Sequence, residues 1–337
     1  MINVGVIGYG YWGPNVARNF YSCQGVRLTS VSDISEKRLG LAKSHYPFIA
    51  DYKNPEDLIK SKDVDVVAVV TPVFAHYEMA LKALESGKHI FVEKPFTATK
   101  TQAEKLVEVA AKKNLKIMVD HTFLFTGAVK KMKELIDSGE LGKLYFYDSV
   151  RVNLGLFQHD VNVIWDLAPH DLSIMSHLIK ERPVAVAATG ASHFNGELAD
   201  VAYVCLHFKD SDFMAHFHVN WLSPVKIRST LISGDRKMLV WDDLSSDEKV
   251  KIYDRGVAIN GNGENGVHKL LVSYRTGDVH IPKLDNAEAL KAEVEYFVHC
   301  LEKNEEPFNN GQAGLQVVRL LEAADLSLKN GGQRIQL

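Results

Sequence analysis

The chain has few cysteines, no long apolar run and nearly balanced charges, and each of these shortages excludes a class of protein. Its three cysteines, Cys23, Cys205 and Cys300, lie far apart and form no C-x-x-C pair. This excludes a disulfide framework or a zinc ribbon and is typical of a reducing compartment. No apolar stretch is long enough to span a bilayer, and the first residues start a strand rather than a basic leader. We therefore expect a cytoplasmic protein without a membrane partner.

Length and charge set the scale of the fold. A chain of 337 residues is too long for one ordinary core, so we expect two domains. Its 46% hydrophobic and 24% charged residues are typical of a globular protein. A formal net charge of −3 gives no reason to expect a nucleic-acid partner.

Buried strands and helical patterns alternate through the first third of the chain, which predicts a doubly wound parallel sheet in an α/β fold. The apolar runs interpreted as strands are Val4–Ile7, Leu28–Val31, Val64–Val70, Ile90–Val92 and Ile117–Val119. After Phe123 several runs alternate with a period of two, which indicates an antiparallel sheet with helices on one face. We therefore predict a Rossmann domain over residues 1–123 and a second α/β domain over 124–337.

A glycine motif directly follows the first strand. Gly8 permits a tight turn, Gly10 lets a pyrophosphate approach the backbone, and Gly13 allows close packing of helix on strand. Pro14 starts the helix whose N-terminus supplies amide donors.

Asp33 ends the second strand, where a carboxylate accepts hydrogen bonds from both ribose hydroxyls and repels a 2′-phosphate. The motif predicts NAD, and Lys37 and Arg38 keep NADP open. The predicted cofactor residues of this segment are Gly8, Gly10, Tyr11, Trp12, Gly13 and Asp33.

Two further strand ends carry polar residues. Thr71 and Pro72 follow the strand Val64–Val70, with His76 four residues on, where a nicotinamide ribose is expected. Thr71, Pro72 and His76 are predicted cofactor contacts, although His76 is equally well explained as a structural residue of the helix N-terminus. Glu93 and Lys94 end the strand Ile90–Val92, and both are predicted cofactor contacts. A lysine at a buried strand end must be solvated, paired or shifted in pKa, so Lys94 is also a candidate catalytic and substrate-binding residue.

Asp166 and His170 are four residues apart, which places both on one face of a helix. An imidazole can take the proton of an alcohol as hydride leaves, and Asp166 can orient it or bind a substrate hydroxyl. Lys94 would stabilise the alkoxide charge. We predict Lys94, Asp166 and His170 as catalytic and substrate-binding residues. Further polar residues precede Asp166 and are weaker candidates for substrate contacts; they are Arg151, Asn153 and Asp160.

Three other histidines admit a functional interpretation. His121, after the last Rossmann strand, either lines the site or caps the crossing to the second domain. His216 and His218 alternate within a strand like a metal pair. No third ligand lies near them in sequence, so a strand facing solvent or an interface is favoured and no metal is predicted.

Gly8-x-Gly10-x-x-Gly13, Glu93-Lys94-Pro95 and Asp166-x-x-x-His170 together resemble the glucose–fructose oxidoreductase / inositol dehydrogenase / rhizopine-catabolism family, and the resemblance runs nearly end to end. It implies a Rossmann domain and a C-terminal domain with a large, open-faced, mostly antiparallel sheet that forms homodimers or homotetramers. It also implies that Lys94 is the family lysine and that Asp166 and His170 are the catalytic pair of inositol-dehydrogenase-like members. These enzymes transfer a hydride between a nicotinamide cofactor and a sugar or cyclitol.

The residues Gly10–Asn15 and Trp165–Asp171 are similar to members of nucleotide-sugar and surface-polysaccharide biosynthesis. The resemblance therefore favours an NAD-dependent dehydrogenase of a nucleotide sugar, for example at carbon 3 of a UDP-N-acetyl-hexuronate. An NADPH-dependent ketosugar reductase and an inositol dehydrogenase are the alternatives. A non-catalytic NAD-binding regulator is disfavoured because Lys94, Asp166 and His170 are all present.

Overall fold

The structure is a computed structural model, and it describes residues 1–155, 161–194, 196, 198–209, 212–260 and 271–337. It divides into two compact units. The first unit comprises Met1–Thr126 and Asn286–Glu322, and the second comprises Gly127–Asp285 and Ala323–Leu337. No helix of the described segments is both long enough and apolar enough to cross a membrane.

The core of the first unit is a six-stranded parallel sheet with the order β3-β2-β1-β4-β5-β6. The strands are β1 Ile2–Ile7, β2 Val26–Ser32, β3 Ala50–Tyr52, β4 Val66–Val69, β5 His89–Glu93 and β6 Ile117–Asp120. The helices between them are α1 Gly13–Ser22, α2 Glu36–His45, α3 Pro55–Lys60, α4 Val73–Glu85 and α5 Lys100–Lys113. The order reverses between β1 and β4, and cofactors bind outside the carboxyl ends of strands at such a point. The predicted Rossmann sheet is confirmed.

The second unit contains a nine-stranded sheet with the order β14-β13-β12-β11-β7-β10-β9-β8-β15. Its strands are β7 Leu144–Leu154, β8 Pro183–Ala191, β9 Val201–Phe208, β10 Met214–Asn220, β11 Leu222–Gly234, β12 Met238–Asp242, β13 Val250–Asn260, β14 Leu271–His280 and β15 Ile335–Gln336. Every described pair is antiparallel except β7 with β10. The helices α6 (Gly127–Asp137) and α7 (Val163–Leu178) belong to this unit. The large, mostly antiparallel sheet is therefore confirmed.

The buried face of the nine-stranded sheet faces α7. Along β9, Ala202, Val204 and Leu206 are fully or almost fully buried, whereas Tyr203 between them is 43% exposed. The same alternation continues along β10. One face of the sheet thus forms the core of the second unit, and the other stays accessible within the chain.

Two helices close the chain, α8 (Ala289–Lys303) and α9 (Gly311–Lys329). The prediction placed all residues after 123 in one domain, but Asn286–Glu322 groups with the first unit. The apolar face of α8 explains this placement, because Val294 and Phe297 are fully buried and the Phe297 ring lies 6.1 Å from that of Phe91 in β5. Burying two such side chains contributes several kcal/mol, on the order of 2 kcal/mol each.

Candidate cofactor and substrate residues

The turn between β1 and α1 admits only glycine at two of its positions. Gly8 has a φ of +97°, and a Cβ there would lie 2.2 Å from the Val70 carbonyl oxygen. A Cβ on Gly13 would lie 2.2 Å from the Gly8 carbonyl oxygen. The turn therefore folds back on itself against the end of β4. This brings the N-terminal end of α1 to the edge where phosphates bind.

Gly10 is different, because the space beside it is open. A Cβ there would approach only the Arg38 guanidinium, at 3.6 Å.

Asp33 is 6% exposed and accepts hydrogen bonds from the backbone N–H groups of Tyr9 at 2.7 Å and Ser35 at 2.8 Å. Its carboxylate lies 3.6 Å from Arg38 Nη1. An open glycine, a helix N-terminus and a carboxylate at the end of β2 are the features that an NAD-sized dinucleotide requires. These residues fit the cofactor.

The two spacer residues of the glycine motif have different surroundings. Tyr11 is 94% exposed. Trp12 is half-buried, and its indole Nε1 donates a hydrogen bond of 2.9 Å to Oδ2 of Asp120, the last residue of β6. No sequence pattern indicated this contact, because the two residues are 108 positions apart.

His76 is buried in the first turn of α4, with 1% of its surface exposed. Its Nε2 lies 2.7 Å from the Thr71 carbonyl oxygen, and its Nδ1 lies 2.9 Å from the Pro95 carbonyl oxygen. Burial lowers the pKa of His76. His76 thus joins the segments that follow β4 and β5, and this favours positioning of Thr71, Pro72 and Lys94 over direct contact with a cofactor.

Glu93 and Lys94 lie at the end of β5. Glu93 is the ladder partner of Asp120, and burial together with the Asp120 charge raises its pKa well above the ordinary value. Lys94 precedes Pro95 through a cis peptide bond. Its charge adds to burial in lowering the pKa values of His76 and His121. Lys94 is therefore the cation at the carboxyl end of the sheet, beside histidines that burial keeps neutral.

His121 makes the stability of the protein depend on pH. It is 1% exposed, neither ring nitrogen has a hydrogen-bond partner among the described residues, and burial lowers its pKa from 6.5 to about 4. As the pH falls from 6.5, the unfolded chain takes up this proton before the folded chain does. The contribution of His121 is thus present above pH 6.5 and lost towards pH 4.

We expect His121→Phe to remove about 3 kcal/mol of this acid-induced loss in the free energy of unfolding. Urea unfolding at several pH values measures it. His299→Phe is the matched control, since the His299 side chain is 54% exposed. A pH dependence in His121→Phe equal to that of the wild type would contradict the prediction.

In the second unit, Asp166 and His170 lie on α7, as the spacing predicted. The helix begins after Asn162, whose side-chain oxygen accepts hydrogen bonds from the N–H groups of Ile164 at 3.0 Å and Trp165 at 3.2 Å. Asp166 is in the first turn, and both Asp166 and His170 are partly exposed. The helix therefore presents an acid and an imidazole one turn apart.

Trp221 contacts Asp166. It is 1% exposed, and its indole Nε1 donates a hydrogen bond of 2.9 Å to Asp166 Oδ2. This hydrogen bond restricts the orientation of the Asp166 carboxylate. The contact joins positions 55 residues apart, so no sequence spacing revealed it.

Arg151 and Asn153 lie on β7, while Asp160 lies outside the described residues. Arg151 is 3% exposed, and its Nε and Nη2 bind the two carboxylate oxygens of Asp171 at 2.7 and 2.8 Å. Asn153 is half-buried near the end of the strand. The ion pair attaches α7 to the sheet next to His170, which favours a positioning role for Arg151 over a contact with substrate.

We expect Arg151→Met to destabilise the protein by about 3 kcal/mol, because Asp171 is left as an unpaired buried charge. The double variant Arg151→Met/Asp171→Leu is expected to recover most of this loss, since it removes both charges. Urea unfolding of the three proteins measures the difference. Equal stability of the single variant and the wild type would show that the pair contributes nothing.

The two histidines of β10 contact an acid and an aromatic ring. His216 Nδ1 lies 3.1 Å from Asp148 Oδ1, and the ring of His218 stacks at 4.4 Å on that of Tyr203. Within the described ranges no three His, Cys, Asp or Glu side chains are arranged to hold a metal ion.

The chain is similar to known dehydrogenases. It is 27% identical to myo-inositol 2-dehydrogenase of Thermotoga maritima over 225 residues, which are 62% of this chain and 65% of that relative, less than two thirds of its length. UDP-N-acetylglucosamine 3-dehydrogenase from Acidithiobacillus ferrooxidans has the same fold, with a TM-score of 0.83 at 22% identity over 98% of this chain and 99% of that chain. The scyllo-inositol dehydrogenase of Lactobacillus casei, solved with NAD(H) and scyllo-inositol, gives a TM-score of 0.80 at 20% identity over 100% and 99% of the chains.

Two family models match the chain in succession. Residues 2–121 match the oxidoreductase family with an NAD-binding Rossmann fold, and residues 129–240 match the GFO/IDH/MocA C-terminal domain. Both matches agree with the sheets described above. The chain therefore belongs to the GFO/IDH/MocA oxidoreductase family, with an N-terminal NAD-binding Rossmann domain.

Proposed function

We propose that this protein is an NAD-dependent dehydrogenase that oxidises a secondary alcohol of a sugar, and that its substrate is a nucleotide sugar. The observation that carries the proposal is the pair Asp166 and His170, which lie one turn apart on α7 and are partly exposed. A protein that only binds its ligands needs no proton acceptor of this kind. A non-catalytic NAD-binding regulator is therefore the weaker explanation.

His170, Asp166 and Lys94 have different roles in the removal of the hydroxyl proton. His170 takes the proton of the substrate hydroxyl, and Asp166, held by the Trp221 indole, stabilises the imidazolium that forms. The Lys94 ammonium stabilises the negative charge that develops on the same oxygen. Bound NAD supplies the hydride acceptor. The alcohol thus loses one hydride and one proton and becomes a ketone.

The choice of a nucleotide sugar rests on two likenesses. The residues Gly10–Asn15 and Trp165–Asp171 resemble enzymes of nucleotide-sugar pathways, and the fold is shared with a UDP-N-acetylglucosamine 3-dehydrogenase. Oxidation at carbon 3 of a UDP-N-acetyl-hexuronate, in surface-polysaccharide biosynthesis, is the specific form of the proposal. An inositol is the alternative substrate, because a relative at 27% identity and a solved structure of the same fold are inositol dehydrogenases.

Asp33 favours NAD over NADP in this proposal. Its carboxylate would repel a 2′-phosphate, whereas Arg38 Nη1, 3.6 Å from it, would attract one. A ketosugar reductase using NADPH is therefore the second direction to test. A preference of the purified protein for NADPH would reverse our assignment of the cofactor.

The accessible face of the nine-stranded sheet is proposed as the contact between copies in a homodimer or homotetramer. It exposes Tyr203, Met214 and Ile227 by 43%, 45% and 40%. Light scattering after size-exclusion chromatography determines the state, and Ile227→Glu is expected to shift it towards the monomer. A monomeric wild-type protein would exclude this interface.

The substrate is tested by a panel of nucleotide sugars, free hexuronates and inositols, followed through NADH absorbance with NAD and NADP in parallel. The proposal expects turnover of a UDP-N-acetyl-hexuronate above that of myo-inositol and scyllo-inositol. Turnover of an inositol alone would leave the dehydrogenase assignment in place and replace the substrate. Binding of NAD without turnover of any member would favour the regulator.

A further inference from the structure

Two buried carboxyl groups, Asp120 and Glu293, and the half-buried Glu93 lie together at the carboxyl end of the Rossmann sheet, and the glycine motif is hydrogen-bonded to Asp120. Asp120, 1% exposed, accepts the 2.9 Å hydrogen bond from the Trp12 indole on one oxygen and a short hydrogen bond from the Thr122 hydroxyl on the other. Glu93 is its ladder partner in β5. Glu293 reaches the cluster from α8 and is fully buried.

A second set of contacts holds Glu293 in place. The Asn309 side-chain amide donates to Glu293 Oε1 at 3.0 Å and to the Val119 carbonyl oxygen at 2.9 Å. Val119 is the residue before Asp120 in β6, so Asn309 ties Glu293 to the strand end. Glu293 and Asn309 are both 0% exposed, so bulk solvent reaches neither side chain.

Three adjacent carboxyl groups in a buried site cannot all be ionised. Burial and then the Asp120 charge raise the pKa values of Glu93 and Glu293 well above the ordinary value. Trp12 and Thr122 both donate to Asp120, and donors stabilise the ionised form of an acceptor. A protonated Glu93 or Glu293 can donate a hydrogen bond to Asp120, which already accepts from Trp12 and Thr122.

We propose that Asp120 is a positioning residue for the dinucleotide-binding turn: it holds the Trp12 indole, and Glu93 and Glu293 hold Asp120. The hydrogen bonds that hold the turn then weaken as rising pH removes the protons of Glu93 and Glu293. Trp12 stands between Gly10 and Gly13, so its indole sets the path of the backbone that approaches the pyrophosphate. The inference concerns NAD binding alone and is independent of the sugar.

The other charged and titratable neighbours of this cluster are Lys94 and His121. Lys94 lowers the pKa of Glu93, against the larger effects of burial and Asp120. His121, adjacent to Asp120, is kept neutral by burial, which lowers its pKa to about 4. His121 therefore carries no charge at neutral or alkaline pH.

The contact between Trp12 and Asp120 is tested with Trp12→Phe, Asp120→Asn and the double variant. Each single variant is expected to weaken NAD binding by about tenfold, since a hydrogen bond to a charged group is lost. The double variant is expected to be no weaker than either single one, because both remove the same bond. Calorimetric titration of NAD without sugar measures this, and additive losses, or NAD binding at wild-type strength in either single variant, would overturn the proposal.

A spectroscopic measurement distinguishes this role from a merely structural one. The chain has four tryptophans, so the protein labelled with 5-fluorotryptophan gives four fluorine resonances, and Trp12→Phe identifies one of them. Asp120→Asn is expected to shift that resonance and to leave the other three in place. A Trp12 resonance that Asp120→Asn does not move would overturn the contact.

The pH dependence is tested with Glu293→Gln, which keeps the shape, donates through its amide and cannot ionise. At neutral pH this variant is expected to bind NAD like the wild type, and the rise of its Kd in alkaline solution is expected to be smaller. Glu295→Gln, at an exposed position of the same helix, is the matched control and should follow the wild type. An alkaline rise equal in Glu293→Gln and the wild type would overturn the role of Glu293. Weakened binding at neutral pH would do the same.

Discussion

Replacing Lys94 by methionine is expected to lower kcat on the sugar substrate by about 10³-fold while NAD still binds, since one group that stabilises a developing oxyanion contributes 10²–10³. Methionine keeps the length of the side chain and removes the charge. The Lys94 charge lowers the pKa of Glu93, so its loss keeps Glu93 protonated and leaves the contacts around Asp120 intact. The turnover rate and the Kd for NAD, measured on the same preparation, separate the two effects.

Lys100→Met is the control for Lys94→Met. Lys100 begins α5, six residues further along the same unit, and its Nζ lies 3.7 Å from Glu104 at an exposed position. It should leave both kcat and NAD affinity unchanged. Normal turnover in Lys94→Met would remove Lys94 from the mechanism. Loss of NAD binding together with turnover would assign it to the cofactor alone.

Replacing His170 by alanine is expected to lower kcat on the order of 10³-fold, because the hydroxyl loses its proton acceptor while hydride transfer still requires that proton to leave. Exogenous imidazole added to His170→Ala is expected to restore part of the rate. A small base can enter the space that the side chain vacates, on the partly exposed side of α7. The rate as a function of imidazole concentration, at constant pH, measures this rescue.

His177→Ala is the matched control for His170→Ala. His177 lies in the last turn of the same helix, and burial lowers its pKa. Its removal should leave kcat unchanged, and added imidazole should not change the rate of His177→Ala. If His170→Ala turned over the sugar normally, another group would have to accept the proton. An equal loss in His177→Ala would indicate damage to α7 rather than lost chemistry.

Much of the fold was predictable because local patterns report local structure. Strand runs buried on both faces, such as Val66–Val69, alternate with helices and specify a parallel sheet. The glycines at 8 and 13 satisfy steric requirements that act within one turn. The spacing of Asp166 and His170 predicts one face of a helix, and both residues lie on α7.

The contacts that were not predicted join distant parts of the chain. Trp12 with Asp120 joins the glycine turn to β6, Trp221 with Asp166 joins the end of β10 to α7, and Glu293 with Asn309 joins α8 to the segment before α9. No periodicity relates the partners of these contacts. The placement of Asn286–Glu322 in the first unit has the same origin. An amphipathic helix shows in sequence which face it buries but not which sheet it covers.

The sequence by itself determined the two kinds of sheet, the dinucleotide-binding turn and the residue types available for proton transfer. Backbone sterics and side-chain periodicity act over a few residues, so they are visible in short stretches of the sequence. Only the tertiary structure decided which of those residues are held and by what. Asp33 is bound by Tyr9 and Ser35, His76 lies within hydrogen-bond distance of two carbonyl oxygens, and Asp120 is bound by Trp12. A buried polar group must find its partners in space, and the chain can supply them from any position.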